Sequence, residues 1–256
     1  GDTGSTACPG DLVRARLAQL RKDVAARIAA TDDPARWATF GTGARFFTQV
    51  LTDAEGAAFG SPSRIGTATS KVVRVGLPIA EAAAPLVISA GSDNRIGVVD
   101  RLHRTLWGRP ATTAELTRDV ALRDRPTKAA AIADGLLAGA DGVARYRSLD
   151  DAAFVTALYR NALARTPSAD ELAAQRAFLA AGHTRGELVV VVSDSTEYRR
   201  QVAVAERVTV AWFALLRRAP SAAELRTWTA RLTAGSTDAD LVKALLASPE
   251  WSRRFR

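Results

Sequence analysis

Side chains able to do acid–base or metal chemistry are few in this chain. It has two histidines and one cysteine, and neither a histidine pair at helical spacing nor a Cys/His cluster occurs. A zinc site, which needs such ligands, is therefore not expected. We predict that His103 lies at the edge of a core and His183 in an exposed turn, with no metal, no cofactor and no catalytic residue.

Serine and aspartate combinations favour helix starts over catalysis. Ser195, in Ser193-Asp194-Ser195, is typical of a helix cap, and Asp32-Asp33 and Asp150-Asp151 precede predicted helices, where carboxylates favour the positive end of the helix dipole. Adjacent carboxylates also point in different directions, unlike a glycosidase pair. We expect a non-enzyme. A hydrolase of wall polymers remains an alternative, and it requires a cleft that joins a histidine to an Asp or Glu.

Aromatic residues beside arginines are the better candidates for binding. A flat ring beside cations can stack on a sugar or on another subunit. The candidate interaction residues are Tyr198, Arg199, Arg200, Trp228, Trp251, Arg253 and Arg254. Core packing of the rings is the alternative, and exposure of the three rings on one face distinguishes the two interpretations.

These residues belong to a segment that recurs along the chain. The letters ARTPSADEL at 164–172 return as RRAPSAAEL at 217–225 and, less closely, as GRPATTAEL at 108–116. The later two copies keep an offset of 53 residues through Ser195 and Ser248 to Tyr198 and Trp251. A fixed period of this kind indicates tandem repeats. The first copy keeps the opening and then diverges, without the Ser-x-Glu-aromatic ending.

Each copy is predicted to be helical, because apolar residues fall at helical spacing. The recurring letters are helix-stop and helix-start signals. Capping boxes, in which a hydroxyl and a Glu or Asp three residues on bond each other's backbone N–H, are predicted at Thr112, Ser168, Thr184, Ser221 and Thr237. Gly182 and Gly235 suit a left-handed helix end. Each copy is thus a long helix, a second helix, a Gly-Thr turn, a third helix and a short aromatic-bearing one.

An arginine recurs at the end of the first helix of each copy, as Arg109, Arg165 and Arg218. A cation there interacts favourably with the helix dipole. We expect it to bond a carboxylate such as Glu197 or Glu250; a ligand-facing arginine in each copy is the alternative.

The sequence predicts an all-α protein with tandem helical repeats of about 53 residues and a separate N-terminal helical region. The boundaries are 1–95 for the N-terminal region, 96–149 for the degenerate first copy, 150–204 for the second and 205–256 for the third. Within the first part we predict an amphipathic helix from Leu12, a helix over 44–58, a loop at GSPSRIGTATS, and an apolar segment over 72–90 broken at Pro78 and Pro85.

Charge and composition narrow the partners. The formal net charge is +8, but the cations are mostly arginine and are spread along the chain without a dense block, so nucleic-acid binding is not expected. A diffuse basic face suits an anionic glycan or cell-wall polymer. The longest apolar segment is interrupted by Glu81 and two prolines, so no transmembrane segment is predicted. The small polar start without Met suggests a processed, secreted protein, in which Cys8 is a possible intermolecular thiol.

The repeated pattern resembles the DUF4214 family of bacterial helical repeats. The second copy carries it in Phe154, Val155, Leu158, Tyr159, Leu163, Arg165, Pro167, Glu171, Leu172, Leu179, Gly182, Thr184, Leu188, Ser195, Glu197 and Tyr198. The match is good over two copies, partial over the first and absent before about residue 95. Gln175 stands where a tryptophan is common, whereas Trp228 keeps it in the third copy.

The resemblance implies an exported or surface-layer-like bacterial protein, a fold similar to that of phycobilisome linker domains, and no catalytic residues. We therefore expect an extracellular structural or assembly protein of the cell surface, in a surface layer, filament or matrix, that associates with itself or with other surface proteins. The alternative is a glycan- or cell-wall-binding module.

Overall fold

The computed structural model describes residues 43–56, 62–72, 77–125 and 127–254. All regular elements in these ranges are helical, which confirms the all-α class. Cys8, Asp32-Asp33 and the helix predicted from Leu12 lie outside the described residues.

Fifteen α-helices, one of them a single turn, and a π-helical segment follow one another within those ranges. They are α1 (Gly43–Glu55), α2 (Pro62–Ser70), α3 (Ile79–Val87), α4 (Ala90–Ser92), the π segment (Asp93–Gly97), α5 (Val98–Trp107), α6 (Thr113–Asp124), α7 (Ala129–Ala138), α8 (Ala140–Tyr146), α9 (Asp151–Leu163), α10 (Ala169–Ala180), α11 (Arg185–Ser193), α12 (Thr196–Leu216), α13 (Ala222–Thr233), α14 (Asp238–Leu246) and α15 (Pro249–Arg254).

The helix starts predicted from capping residues in the three copies are confirmed. All five capping boxes form, and the Asp150 side chain caps α9. Ser195 and Ser248 accept the backbone N–H groups of Tyr198 and Trp251, at 3.3 and 3.1 Å. The short helix predicted at the end of the second copy differs: it runs on without a break into the next long helix, as α12.

Left-handed residues end the long helices. Gly182 and Gly235 have φ of 94° and 106°, as predicted. The ends of α1, α5, α9 and α12 are marked in the same way, by Gly56 (φ 90°), Gly108 (68°), Ala164 (54°) and Arg217 (58°). A residue in this conformation cannot continue a right-handed helix, so each chain turn is set locally.

The helices form two hydrophobic cores. The middle core connects helices that are near in sequence, whereas the terminal core connects the first described helices to the last. The middle core joins α5, α7, α9 and α11, with Phe154 and Leu158 fully buried. The terminal core joins α1 and α3 to the second half of α12, α14 and α15. In the middle core α7 packs along α11, and in the terminal core α3 packs along α14. Each of these four helices is the third described helix of its own part of the chain.

The N-terminal region is therefore not separate in its described part. Phe47, Val50 and Leu51 of α1 are fully buried in the core that Trp212 and Trp251 also occupy. The predicted loop is also wrong, because residues 62–70 form α2 with Pro62 as its first residue, where proline's missing N–H has no cost. The predicted breaks are half right: α3 begins just after Pro78 but contains Pro85.

Candidate functional site

Three clusters, here called the arginine clusters, connect the end of one helix to the start of the next. In the third, Arg218 donates to both oxygens of Glu224, at 2.7 and 2.8 Å, and to Glu250 at 3.0 Å. In the second, Arg165 donates to both oxygens of Glu171, at 2.7 and 2.8 Å, and to both of Glu197. The expected bonds to Glu197 and Glu250 are confirmed.

One glutamate of each of these two clusters, Glu171 or Glu224, belongs to the capping box of α10 or α13. Hydrogen bonds from Arg165 and Arg218 hold the pKa values of Glu171 and Glu224 at about 2. Because both arginine forks are filled by carboxylates of the same chain, these arginines fix the angle between helices and have little capacity left for a ligand.

The first arginine cluster is incomplete. Arg109 donates to both oxygens of Glu115, at 2.7 and 2.8 Å. Asp141 lies 56 residues before Glu197 and so occupies the position of the second carboxylate. The pKa of Arg109 is raised mainly by its hydrogen bonds to Glu115; Asp141 adds to this through its charge, without a hydrogen bond to Arg109 in the described structure. Asp141 is exposed at the start of α8. Sequence comparison missed it because the Ser-x-Glu-aromatic ending has become Gly-x-Asp-Gly.

His103 lies close to this incomplete cluster and is fully buried, deeper than the core edge predicted for it. Its Nε2 is 2.8 Å from Oδ2 of Asp119, and both oxygens of Asp119 also accept from Arg118. Burial raises the pKa of Asp119, but the bonds from Arg118 and His103 outweigh it and hold that pKa below the ordinary value. Nδ1 of His103 has no hydrogen-bond partner in the described structure and lies 3.6 Å from Oε1 of Glu115.

The same two positions hold different pairs in the later copies. Tyr159 and Gln175 correspond to them in the second copy, with Oη and Nε2 3.5 Å apart, and Trp212 and Trp228 in the third, with rings 6.3 Å apart. The register of the repeat would have identified Asp119 as the partner of His103, since the residues of all three pairs are 16 positions apart.

A cleft of about 420 Å³ opens beside the His103–Asp119 pair, between α6, α7 and α8. Its apolar wall includes Trp107, Leu122, Ile132 and Leu136, and its polar lining is Glu115, Arg118, Asp119 and Asp141. The hydrolase alternative required such a cleft. The imidazole, however, is buried behind the carboxylates that line it, and a general base must reach the proton it removes. The pair is therefore arranged to orient Asp119.

The predicted aromatic and arginine residues do not form one face. The rings of Tyr198 and Trp251 are 2% and 1% exposed, because each follows a capping serine and points into a core, and Tyr198 lies in the middle core whereas Trp251 lies in the terminal core. Trp228 is half-buried, with the guanidinium of Arg231 5.0 Å from its ring.

The arginines that follow these rings are at the surface where their side chains are described. Arg200 and Arg253 are exposed, as is Arg199, which pairs with Asp93 at 2.9 Å. Arg254 ends α15, and its side chain lies outside the described atoms. His183 is exposed as predicted, stacked on Phe178 with ring centroids 3.9 Å apart.

A buried ion cluster lies where α5 crosses α12, and no pattern in the sequence indicated it. Arg101, 1% exposed, donates to Asp93 and Glu206 at 2.5 Å and to Asp194 at 2.9 Å. Burial raises the pKa of Glu206 to about 8, helped by the adjoining Asp93. Burial also acts to raise the pKa of Asp93, but hydrogen bonding to Glu206 and the charge of Arg101 outweigh it and lower that pKa to about 2. The two carboxyl groups therefore share one proton. Gly97 makes room, since a Cβ there would lie 2.2 Å from Glu206 Oε1.

Within the described ranges, no group of three or more metal-ligating side chains is close enough to hold an ion. No helix in these parts of the chain combines the length and apolarity needed to cross a membrane.

In a comparison with protein families, the model of DUF4214, a domain of unknown function, matches residues 133–202, from within α7 to the start of α12. This supports the resemblance on the segment that includes the second arginine cluster. No curated protein and no solved structure matches the chain.

Proposed function

We propose that this chain is an exported, non-catalytic protein of the bacterial cell surface that works by association, as a component of a surface layer, filament or matrix. In this proposal the chain is an array of tandem helical units of about 53 residues, similar to DUF4214 repeats.

The arginine clusters are the observation that carries the proposal. In the second and third copies, the recurring polar residues bond one another across a helix junction: Arg165 with Glu171 and Glu197, and Arg218 with Glu224 and Glu250. Their hydrogen-bonding groups are thereby occupied within the fold. This supports an architectural role for the repeat.

The N-terminal region fits the array as a further, more divergent unit. Gly56 ends α1 as Gly108 ends α5, and Ser89 caps α4 as Ser195 caps α12. Units of this kind stack on neighbours to bury a continuous core and leave exposed faces for self-association. The packing of α3 on α14 supports pairing between the first and last units.

Light scattering across a protein dilution series tests the assembly role. We expect species larger than a monomer to grow with concentration. A parallel series with reducing agent, and with Cys8→Ser, tests whether that thiol joins the subunits. A constant monomer mass at every concentration contradicts the proposal.

A glycan- or cell-wall-binding module is the second candidate function. The cleft beside Trp107 favours it, rather than the predicted site at Tyr198, Trp228 and Trp251. Trp107 offers a half-exposed ring beside carboxylates, the combination that Tyr198 and Trp251 lack because they are buried. Co-sedimentation of the protein with purified cell-wall polymer tests it, with Trp107→Leu as the variant expected to lose binding. Equal sedimentation of the two proteins contradicts it.

A further inference from the structure

The cleft between α6, α7 and α8 contains one carboxylate for which the described structure shows no hydrogen-bond partner. Glu115 accepts two bonds from Arg109 and one from the backbone N–H of Thr112. Asp119 accepts two from Arg118 and one from His103. Asp141 takes part in none of these bonds, and it lines the same cleft.

The position of Asp141 is built into the fold. The next residue, Gly142, is buried against the end of α7, where a Cβ would lie 2.3 Å from the carbonyl oxygen of Leu136. Gly142 corresponds to Tyr198 of the second copy, and Tyr146 fills the core one turn later, with its hydroxyl donating to the carbonyl of Leu106. Helix α8 can therefore pack closely on α7 and hold Asp141 at the cleft.

A second feature of the cleft wall is the buried imidazole of His103. Its Nε2 is 2.8 Å from Oδ2 of Asp119, and its Nδ1, which has no hydrogen-bond partner in the described structure, is 3.6 Å from Oε1 of Glu115. The imidazole therefore supports two of the three carboxylates of the cleft from the core side.

The apolar part of the cleft restricts which kind of molecule can bind there. Trp107 is half-buried, with its ring 5.9 Å from that of Tyr146, and Ile132 and Leu136 continue the wall. An aromatic face beside carboxylates suits an organic cation, because the ring quadrupole and the acids both attract positive charge. The three lining carboxylates outnumber the two arginines that bond them, Arg109 on Glu115 and Arg118 on Asp119. An anionic glycan is thereby disfavoured here.

We infer that this cleft binds a primary ammonium group carried on a ring or chain with an apolar face, the ammonium bonding Asp141 and the apolar face lying on Trp107. The inference deepens the glycan-binding candidate, because an amino sugar has both features; a lysine-like alkylammonium group has them as well.

Calorimetric titration of the whole chain with three probes, at about pH 7, separates these sources. The probes are the disaccharide of glucosamine, the same disaccharide N-acetylated on both sugars, and 1,5-diaminopentane. We expect the glucosamine disaccharide and the diamine to bind, and the acetylated disaccharide to bind at least about tenfold more weakly. Binding of the amino sugar alone assigns the site to glycan, and binding of the diamine alone keeps the ammonium site but removes the glycan candidate.

Two variants make the result specific. Asp141→Asn is expected to weaken binding of the amine by about tenfold or more, since a bond between charged groups is lost. Glu197→Gln, the matched change in the complete second arginine cluster, should leave the affinity unchanged. Binding of no amine, equal binding of the acetylated probe, or an unaffected Asp141→Asn variant overturns the inference. Light scattering of Asp141→Asn shows separately whether the assembly role persists.

Discussion

Residues 99–145 and residues 208–254 correspond in sequence, and their second, third and fourth helices start at matching positions, yet their interiors differ in chemistry. Where the later region places Trp212 and Trp228 ring against ring, the earlier one buries His103 hydrogen-bonded to Asp119. Where the later region has Val210, the earlier one has the buried Arg101. One backbone arrangement therefore accepts either an apolar or a charged filling, provided that every buried charge finds partners.

The two regions also differ in how completely the arginine cluster closes. Arg218 connects two carboxylates, whereas Arg109 connects one and leaves Asp141 in the cleft. The complete cluster has its polar groups occupied, whereas the open one leaves a carboxylate at the cleft. In the proposed array of repeats, divergence of one unit is how we propose that a binding site arises.

The largest expected effect concerns the buried charge. Arg101→Ala leaves Asp93, Asp194 and Glu206 without their common cation, and we expect it to lower the free energy of unfolding by about 3–5 kcal/mol. The matched change Val210→Ala removes only apolar contacts and should cost roughly 1–3 kcal/mol. Urea unfolding followed by circular dichroism measures both values. Equal losses would remove the distinction between a charged and an apolar filling.

The pH dependence of stability tests the same cluster. The folded pKa of Glu206, about 8, lies above its ordinary value of 4.5, so the folded protein holds a proton that the unfolded chain releases. This stabilisation is complete below about pH 4.5 and is lost as the pH rises through 8. Asp93, with its pKa lowered to about 2, affects stability in the opposite direction, since its contribution is lost only as the pH falls into the acid range.

We therefore expect the melting temperature to fall by several degrees between about pH 6 and 9. Glu206→Gln, which cannot release a proton, should flatten the curve over that range. Glu224→Gln, in the third arginine cluster, serves as the control, because the pKa of Glu224 lies near 2 and does not titrate there. An identical fall in the wild type and in Glu206→Gln would mean that another group is responsible.

A smaller effect is expected at the His103–Asp119 pair. Asp119→Ala leaves a buried imidazole N–H and Arg118 unpaired, and should cost about 1–3 kcal/mol. Introducing the second copy's pair instead, His103→Tyr with Asp119→Gln, supplies a matched donor and acceptor and is expected to cost less than Asp119→Ala. Thermal unfolding of the two variants compares them. A double variant that is the less stable of the two shows that the site accepts only the His–Asp pair.

The smallest effect belongs to the exposed arm of the arginine clusters. Glu250→Gln removes one bond from a half-exposed site and should lower stability by at most about 1 kcal/mol, with the loss shrinking in high salt. Asp141→Asn, at the corresponding place in the open cluster, removes no hydrogen bond that the described structure contains. It removes only a charge near Arg109 and in the first turn of α8, and should lower stability by less than Glu250→Gln does. A matching loss in Asp141→Asn would mean that the first cluster is closed in solution.

Much of the local structure followed from the sequence. The five capping boxes, the left-handed ends at Gly182 and Gly235, and the bonds from Arg165 to Glu197 and from Arg218 to Glu250 all form as expected. The candidate site followed far less well. Tyr198 and Trp251 proved to be core residues. Asp119 was not anticipated although its 16-residue spacing from His103 follows the register, and Asp141 was not anticipated because the first copy diverges there.

The sequence by itself determined where helices start and stop, because each signal is a hydrogen bond between groups three or four residues apart, or one residue's backbone conformation. Only the tertiary structure decided which faces of those helices are covered. The ion cluster joins residues 93, 101, 194 and 206, and the terminal core joins α1 to α15. Contacts over such separations depend on how whole helices pack, so a ring at a helix start points to a core or to solvent according to its neighbours in space.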